Sequence, residues 1–414
     1  MDKKRIVITG IGVISPIGIG KDQFWESLKQ GKSGFKAITL FDTADLRVKV
    51  AGEITNFNAK EILENQNLMD LDRATLLLLS ATKLALDDAQ LEITNESSQQ
   101  LGVSVGTTFG SLHSISEFDK ESLREGPRYV NPSIFPSTVG NSPASHLSIR
   151  FLIKGFNSTI STGMCACLDA LDYARDLIHL GRINRVVVGA VEDLSIQIFL
   201  GLYKLNCLSG LNSNLKPLSC PFDKRRDGII CSEGSTVFIL EEFNSAIERK
   251  ANIYAEILGI GSSFDPAKFY TYNPKSTGMV EAMHLALKDA NLRPQDIDCI
   301  FANANSTPDA DLIETKAIKE VFGNYAYKIP VTAIKSMLGE TFGASGGLST
   351  AAAIGAFNTD FISPIINYQE KDPDCNLDYV VNKGREKRLD KALINCFSSS
   401  GANTTLIIGK FTAD

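Results

Sequence analysis

Residues Gly155 to Ala174 run Gly-Phe-Asn-Ser-Thr-Ile-Ser-Thr-Gly-Met-Cys-Ala-Cys-Leu-Asp-Ala-Leu-Asp-Tyr-Ala. The pattern is a strand, a tight turn of small residues, and then a helix. Such a turn presents one side chain at a helix N-terminus, where free N–H groups and the helix dipole favour a thiolate and a developing oxyanion. That is the chemistry of a cysteine nucleophile in acyl transfer, although the same pattern also serves as an ordinary packed strand–helix turn. Cys165 and Cys167 lie at this turn, directly after Met164. The histidines available as bases are His113, His146, His179 and His284. His179 follows Met164 mostly along one helix, which at about 1.5 Å per residue puts it roughly 22 Å away and out of reach. Gly10 and Gly12 after the first strand suggest a dinucleotide-binding oxidoreductase, but the next position of that fingerprint is Ser15 and the lone signal is weak.

The elements that must carry this turn show in the hydrophobic pattern. Short β-branched runs at Arg5 to Thr9, Val103 to Val105, Arg185 to Val188 and Thr236 to Leu240 are bounded by glycine and predict buried strands. Helical patterns alternate with them: Leu71 to Ala89 carries Leu77, Ala81, Leu84 and Ala85 at helical spacing, and Ala282 to Ala290 repeats that behaviour. The chain is therefore expected to be α/β. A seam is expected near Phe243 to Asn252, after which Ile253 to Ile260 opens a second series with a later strand at Ile297 to Ala302. This divides the chain into halves 1–250 and 251–414. No Pro/Ser-rich linker parts them, so they should pack as one body, and no strong sequence repeat relates them.

With 414 residues, 43% apolar, and a formal net charge of −6, the chain can bury a large core without disulfide or metal staples and lacks the basic footprint of a nucleic-acid binder. Its 8 cysteines include no C-x-x-C pair, which argues for reduced thiols. The start, Met1-Asp2-Lys3-Lys4 and an apolar stretch, imitates a signal peptide, but Gly10, Gly12, Pro16 and Gly18 interrupt it and a strand with a turn fits better. No run reaches the roughly 18 apolar residues of a transmembrane helix. The expectation is a cytoplasmic protein that engages neither membrane nor nucleic acid.

The elbow resembles the active-site segment of the β-ketoacyl-acyl-carrier-protein synthases, S-T-A/G-C-x-S/T-G. In ungapped register Gly155 matches the glycine before the strand, and Tyr173-Ala174 with Leu180-Gly181 match the helix and its end. The cysteine slot then holds Met164, and Cys165 is one residue late. Val7-Ile-Thr-Gly-Ile-Gly12, Phe135-Pro-Ser-Thr138, Pro221-Phe-Asp-Lys-Arg-Arg-Asp-Gly228 and Glu241-Glu242 extend the resemblance over nearly the whole chain, and as a set they are highly specific. Ser-Thr-Gly followed by Leu168-Asp-Ala170 and Tyr173-Ala174 is similar to the paired subunits of type II polyketide synthases, of which one keeps the cysteine and the other has lost it. The resemblance implies a thiolase-like fold, with two similar α/β halves packed as a five-layer αβαβα body, and no cofactor or metal.

Synthases of this family polarise the malonyl thioester and stabilise its enolate with two histidines. The first belongs to N-A-H-G-T-x-T-P-x-G-D, matched here by Phe301 to Asp311; Asn303 replaces the histidine while Thr307, Pro308 and Asp311 keep the frame. The second belongs to K-S-M-x-G-H, matched by Lys335-Ser-Met337-Leu-Gly339-Glu340, where the lysine is retained and the histidine has become Glu340. Asn cannot become a cation. An ionised Glu about 4 Å from an enolate would repel it by roughly 4 kcal/mol at an effective dielectric near 20. Each lost acid–base group costs about 10²–10⁴-fold, so no condensation is expected of this chain alone. Met164 should fill the pocket with its thioether, and Glu340, too costly to bury alone, should pair with Lys335 or Asn303.

Near the C-terminus Asn395-Cys-Phe397-Ser-Ser399-Ser-Gly401-Ala-Asn403 is similar to N-S-F-G-F-G-G-T-N, and Ser399 stands at the family's phenylalanine gate. The loop matched by Thr107 to Ile115 reaches, in the family, a dimer interface near the end of the partner's acyl tunnel, which makes Phe109 and Leu112 candidates for a tunnel floor. The resemblance thus implies a non-catalytic chain-length-factor subunit. It would form a heterodimer with a cysteine-bearing ketosynthase and act on malonyl and acyl chains held by an acyl carrier protein. The alternatives are an active or decarboxylating synthase that uses a displaced Cys165, and a scaffold without influence on the product. A one-residue shift at a tight elbow should point Cys165 elsewhere, and Cys167 is expected to be a small buried residue.

Overall fold

In the computed structural model, which describes residues 4–64, 68, 71–266 and 271–412, the first strand β1 (Ile6–Ser15) is buried at every position. Helix α1 (Arg73–Asp88) starts at the N-cap Asp72, whose side chain accepts from the Thr75 N–H at 2.9 Å, and lies against β1. The contact is close because β1 has glycine where the helix crosses: a Cβ at Gly10 would stand 2.4 Å from the Ala85 carbonyl, and one at Gly12 1.8 Å from that of Ala81. The Gly-x-Gly pair is therefore a seat for a helix rather than a phosphate cradle. The first half continues through β2 (Leu101–Gly106), α2 (Leu112–Glu125), β3 (Asn157–Ile160), α3 (Ala166–His179), β4 (Arg185–Glu192) and β5 (Gly234–Glu242).

The second half opens with β6 (Ala255–Phe264) and α4 (Thr277–Asp289), followed by β7 (Cys299–Phe301), α5 (Pro308–Phe322) and β8 (Pro330–Thr332). It closes with α6 (Ser345–Thr359), β9 (Asp378–Tyr379), β10 (Lys391–Phe397) and β11 (Ala402–Lys410). Gly259 and Gly261 of β6 face α4 as Gly10 and Gly12 face α1: added Cβ atoms would stand 2.5 Å from the Ala286 carbonyl and 2.3 Å from that of Ala282.

The strands form a 12-stranded mixed sheet in the order β9-β8-β7-β10-β11-β6-β1-β5-β4-β2-β3, with the short strand Gly18–Ile19 added to β1. The halves meet where β1 pairs with β6, Val7 opposite Glu256 and Ile8 opposite Ala255. In each half the strands furthest from this seam are parallel and those nearest it antiparallel.

Layering follows from which faces are apolar. α1 covers the outer face of the first half, packing Leu77 and Leu78 with Val103, Val187 and Val237. α4 and α5 cover the outer face of the second, where Met283 and Ile318 meet Ile300 and Leu393. Between the two sheet halves run α3 and α6, bringing Leu168, Leu171, Leu348 and Ile354 against Phe238 and Ile394. α6 is buried from Ser345 to Phe357, as a helix apolar on all sides must be. The result is the five-layer thiolase-like arrangement. Among the described residues no helix is long and apolar enough to cross a membrane.

Candidate active site

β3 delivers the chain to the elbow, and a single 3₁₀ turn, Gly163–Cys165, leads into α3. Gly163 has φ +67°, and a Cβ there would lie 2.6 Å from Ser398 Oγ, so both the backbone and the neighbouring turn demand glycine. Thr108 Oγ1 donates to the Gly163 carbonyl at 3.0 Å and ties the loop after β2 to the elbow. Asp169 in the first turn of α3 accepts from Thr162 and, at 2.6 Å, from Thr404.

Met164 is 8% exposed. Its side chain belongs to an apolar cluster with Phe199, Ile198, Leu208 and Phe342, against which Phe109 and Leu112 pack in part. Tyr272, whose hydroxyl lies 3.9 Å from the Met164 sulfur, links it to a polar cluster containing Asn305 and Glu340. Lys335, in the one-turn helix Lys335–Leu338, donates through Nζ to Glu340 Oε2 at 2.9 Å and to Asn303 Oδ1 at 3.0 Å. Of the partners considered for Glu340, its charge is met by Lys335. Glu340 Oε1 accepts from the Phe342 N–H at 2.9 Å and Oε2 from Asn305 Nδ2 at 3.4 Å. The Asn303 amide donates to the Phe397 carbonyl at 3.2 Å. The backbone that carries Asn303 is pinned by Glu314, which accepts from the N–H groups of 303 and 304 at 2.9 and 2.8 Å and from Asn395 at 3.0 Å. Asp311 does the same for Asn305 and Ser306, at 3.0 and 3.2 Å. Burial pushes the Glu314 carboxyl up to about 7 and the Asp311 carboxyl up to about 6, the latter against the pull of Arg226.

The structure thus brings Met164, Asn303, Lys335 and Glu340 to one locus. Ser399 lies in the turn between β10 and β11, next to Ser398, which abuts Gly163. Phe109 is half-buried and meets the edge of Phe342 with ring centroids 5.1 Å apart. Leu112 opens α2 from the same side of the site. Cys165 is turned away: its Sγ donates to the carbonyls of Cys396 at 3.1 Å and Ala402 at 3.3 Å. Complete burial pushes this thiol well above its ordinary range, and Cys396 and Asp169 push it the same way. Cys167 is likewise fully buried, packed with Ala190 and Ala344. His179 closes α3, at the far end of the helix from Met164.

Three participants had no signal in the local sequence. Glu192, at the end of β4, accepts from Thr107 Oγ1 at 3.0 Å and from the N–H groups of Thr108 and Phe109, so a buried carboxyl holds the loop that carries Phe109. Burial raises it to about 8. Phe342 has φ +46° and contributes both its ring and its N–H. Tyr272 directs its hydroxyl at the Met164 sulfur, 3.9 Å away. Asn305 was legible in principle, since it occupies a motif position two residues from Asn303.

Chemically this locus is satisfied. The thioether of Met164 has no ionisable proton to surrender, so it cannot take the part of a thiolate. Asn303 spends its acceptor on Lys335 and its donor on a backbone carbonyl. The Lys335 cation is neutralised at 2.9 Å, so little field is left for a developing enolate.

Residues 3–246 match the β-ketoacyl synthase N-terminal domain and residues 254–369 the C-terminal domain. The chain is 34% identical over 411 residues to 3-oxoacyl-(acyl-carrier-protein) synthase 2 of Coxiella burnetii, spanning 99% of both chains. It is 35% identical over 412 residues to the protein of the same name from Synechocystis sp., again over 99% of each. Among solved structures, the ishigamide ketosynthase/chain length factor superposes with a TM-score of 0.92 at 31% identity, over 99% of this chain and 100% of that one. A type II polyketide synthase ketosynthase, bound to the hexaketide and in complex with its acyl-carrier protein, superposes at 0.90 with 28% identity over the same shares. Matched through both domains and along its whole length, the chain is a member of the β-ketoacyl synthase family.

Proposed function

We propose that this chain is the non-catalytic chain-length-factor subunit of a type II polyketide synthase, paired with a cysteine-bearing ketosynthase and working on acyl chains delivered by an acyl carrier protein. The observation that carries this reading is the buried Lys335–Glu340 pair, bonded onward to Asn303, together with the thioether of Met164 at the elbow. A site built for condensation keeps a nucleophile and a cationic or neutral donor facing the substrate; here each charge is consumed internally. The likeness to a ketosynthase/chain length factor supports the same reading. The relatives named as synthases keep a competing reading in view, in which the chain condenses by itself. Cys165 is poorly placed to serve it, because its sulfur is sealed and bonded to two carbonyls.

The test is consumption of radiolabelled malonyl-carrier protein by the chain alone and by the chain co-expressed with a ketosynthase that has the cysteine and both histidines. Turnover is expected only from the pair, with product length changing when this subunit is exchanged. Turnover by the chain alone overturns the proposal, and a product distribution indifferent to the exchange reduces it to a scaffold.

A further inference from the structure

Tyr272 follows none of the motifs that define the site, yet it reaches the site's centre. Its hydroxyl donates toward the Met164 sulfur at 3.9 Å, while its ring joins the partly buried rim of the outer core of the second half. The segment that carries it is anchored. Asn273 donates to Asp265 Oδ1 at 2.8 Å and to Thr277 Oγ1 at 2.7 Å, and the Gly278 N–H donates to the same Asp265 oxygen at 3.1 Å. Asp265 Oδ2 in turn accepts from Asn403 at 3.3 Å, and the Asp265 N–H donates to the Gly401 carbonyl at 2.8 Å. Residues 398–403 thus touch the elbow at Gly163 on one side and hold the Tyr272 segment on the other.

We propose that Tyr272 is a plug: anchored through Asp265 with its hydroxyl end against the side chain of residue 164, it closes the vacated nucleophile pocket, so that restoring a cysteine there would not by itself reopen the site. This rests on the reading of position 164 as a vacated nucleophile position. It adds that the loss of function has two layers, a missing thiol and a covered one. Met164 remains only 8% exposed with the ring in place. The phenol stays protonated at any physiological pH, because burial and the nearby Glu340 carboxylate both push its ionisation up. It therefore acts as a neutral donor and as bulk, not as a base.

The experiment compares M164C, M164C/Y272A and M164C/Y272F in the full chain, using iodoacetamide. The thiolate displaces iodide, and the adduct is located by peptide mass spectrometry, which separates residue 164 from the native cysteines. M164C and M164C/Y272F should label slowly and within about twofold of each other, while M164C/Y272A should label at residue 164 about tenfold faster or more. Labelling of the fully buried Cys165 and Cys167 reports global opening. If Y272A exposes them too, M164C/Y272L, which keeps apolar bulk but not reach, decides by the same criterion at residue 164 alone. Equal rates with and without the ring overturn the plug. No partner subunit or carrier protein is involved, so failure here leaves the subunit assignment standing, and failure of that assignment leaves this measurement interpretable.

Discussion

Lys335 and Glu340 are 3% and 1% exposed, and each directs its charge at the other. A buried pair of this kind is costly to halve and cheap to replace whole, since removing one partner strands a charge out of water. Lys335→Met should therefore cost about 3–5 kcal/mol of unfolding free energy in urea, and Lys335→Met/Glu340→Leu should recover most of it. A loss below about 1 kcal/mol in the single variant would show that solvent or Asn305 already carries the carboxylate. At this scale the sequence was unusually legible. Motif context singled out Met164, Asn303 and Glu340, and the cost of an isolated buried carboxylate pointed to Lys335 or Asn303 as its partner, of which Lys335 carries the charge. Tyr272 was not legible, because nothing local distinguishes an aromatic that leans over a site from one that fills a core.

The elbow and the loop after β2 act as one element. Glu192 holds the loop from beneath, Thr108 ties it to the Gly163 carbonyl, and Phe109 closes on Phe342. A side chain so fixed, half-buried against its own site and half-open, is suited to bounding a tunnel continued by a partner. If the chain pairs with a ketosynthase as proposed, Phe109→Ala and Leu112→Ala should lengthen the products of that pair read by mass spectrometry. An unchanged distribution would assign both residues to packing. The strand–turn–helix order of 155–174 could be read from its small residues and its switch of period, but the 3₁₀ turn and the Phe109–Phe342 contact could not. Both depend on how segments more than 200 residues apart in sequence lie against each other, and periodicity does not encode that.

Across the whole molecule the two halves repeat one plan. Each begins with a strand bearing Gly-x-Gly, seats an Ala-x-x-x-Ala helix on it, and ends with a strand that pairs antiparallel to that first strand. The halves share this geometry with little sequence in common, so the repeat shows in the sheet order and not in the chain. Both halves also bury carboxyls without a full complement of cations: Glu192 is raised to about 8 and Asp193 to about 7 in the first, Glu314 to about 7 and Asp311 to about 6 in the second. The sign follows from linkage. The unfolded chain gives up these protons near its ordinary carboxylate range, whereas the folded chain keeps them until the raised values are reached. Folding is therefore favoured on the acid side and weakens as the pH climbs from about 5 to about 8. The carboxyls held low, such as Asp223 and Asp372, are ionised in both states over this interval and leave its slope unchanged. Urea midpoints should accordingly be higher at pH 6 than at pH 8.5, and Glu192→Gln, which cannot ionise, should flatten part of the difference. A midpoint that rises with pH across this interval would mean that the donors around Glu192 and Glu314 keep these carboxyls ionised in spite of their burial.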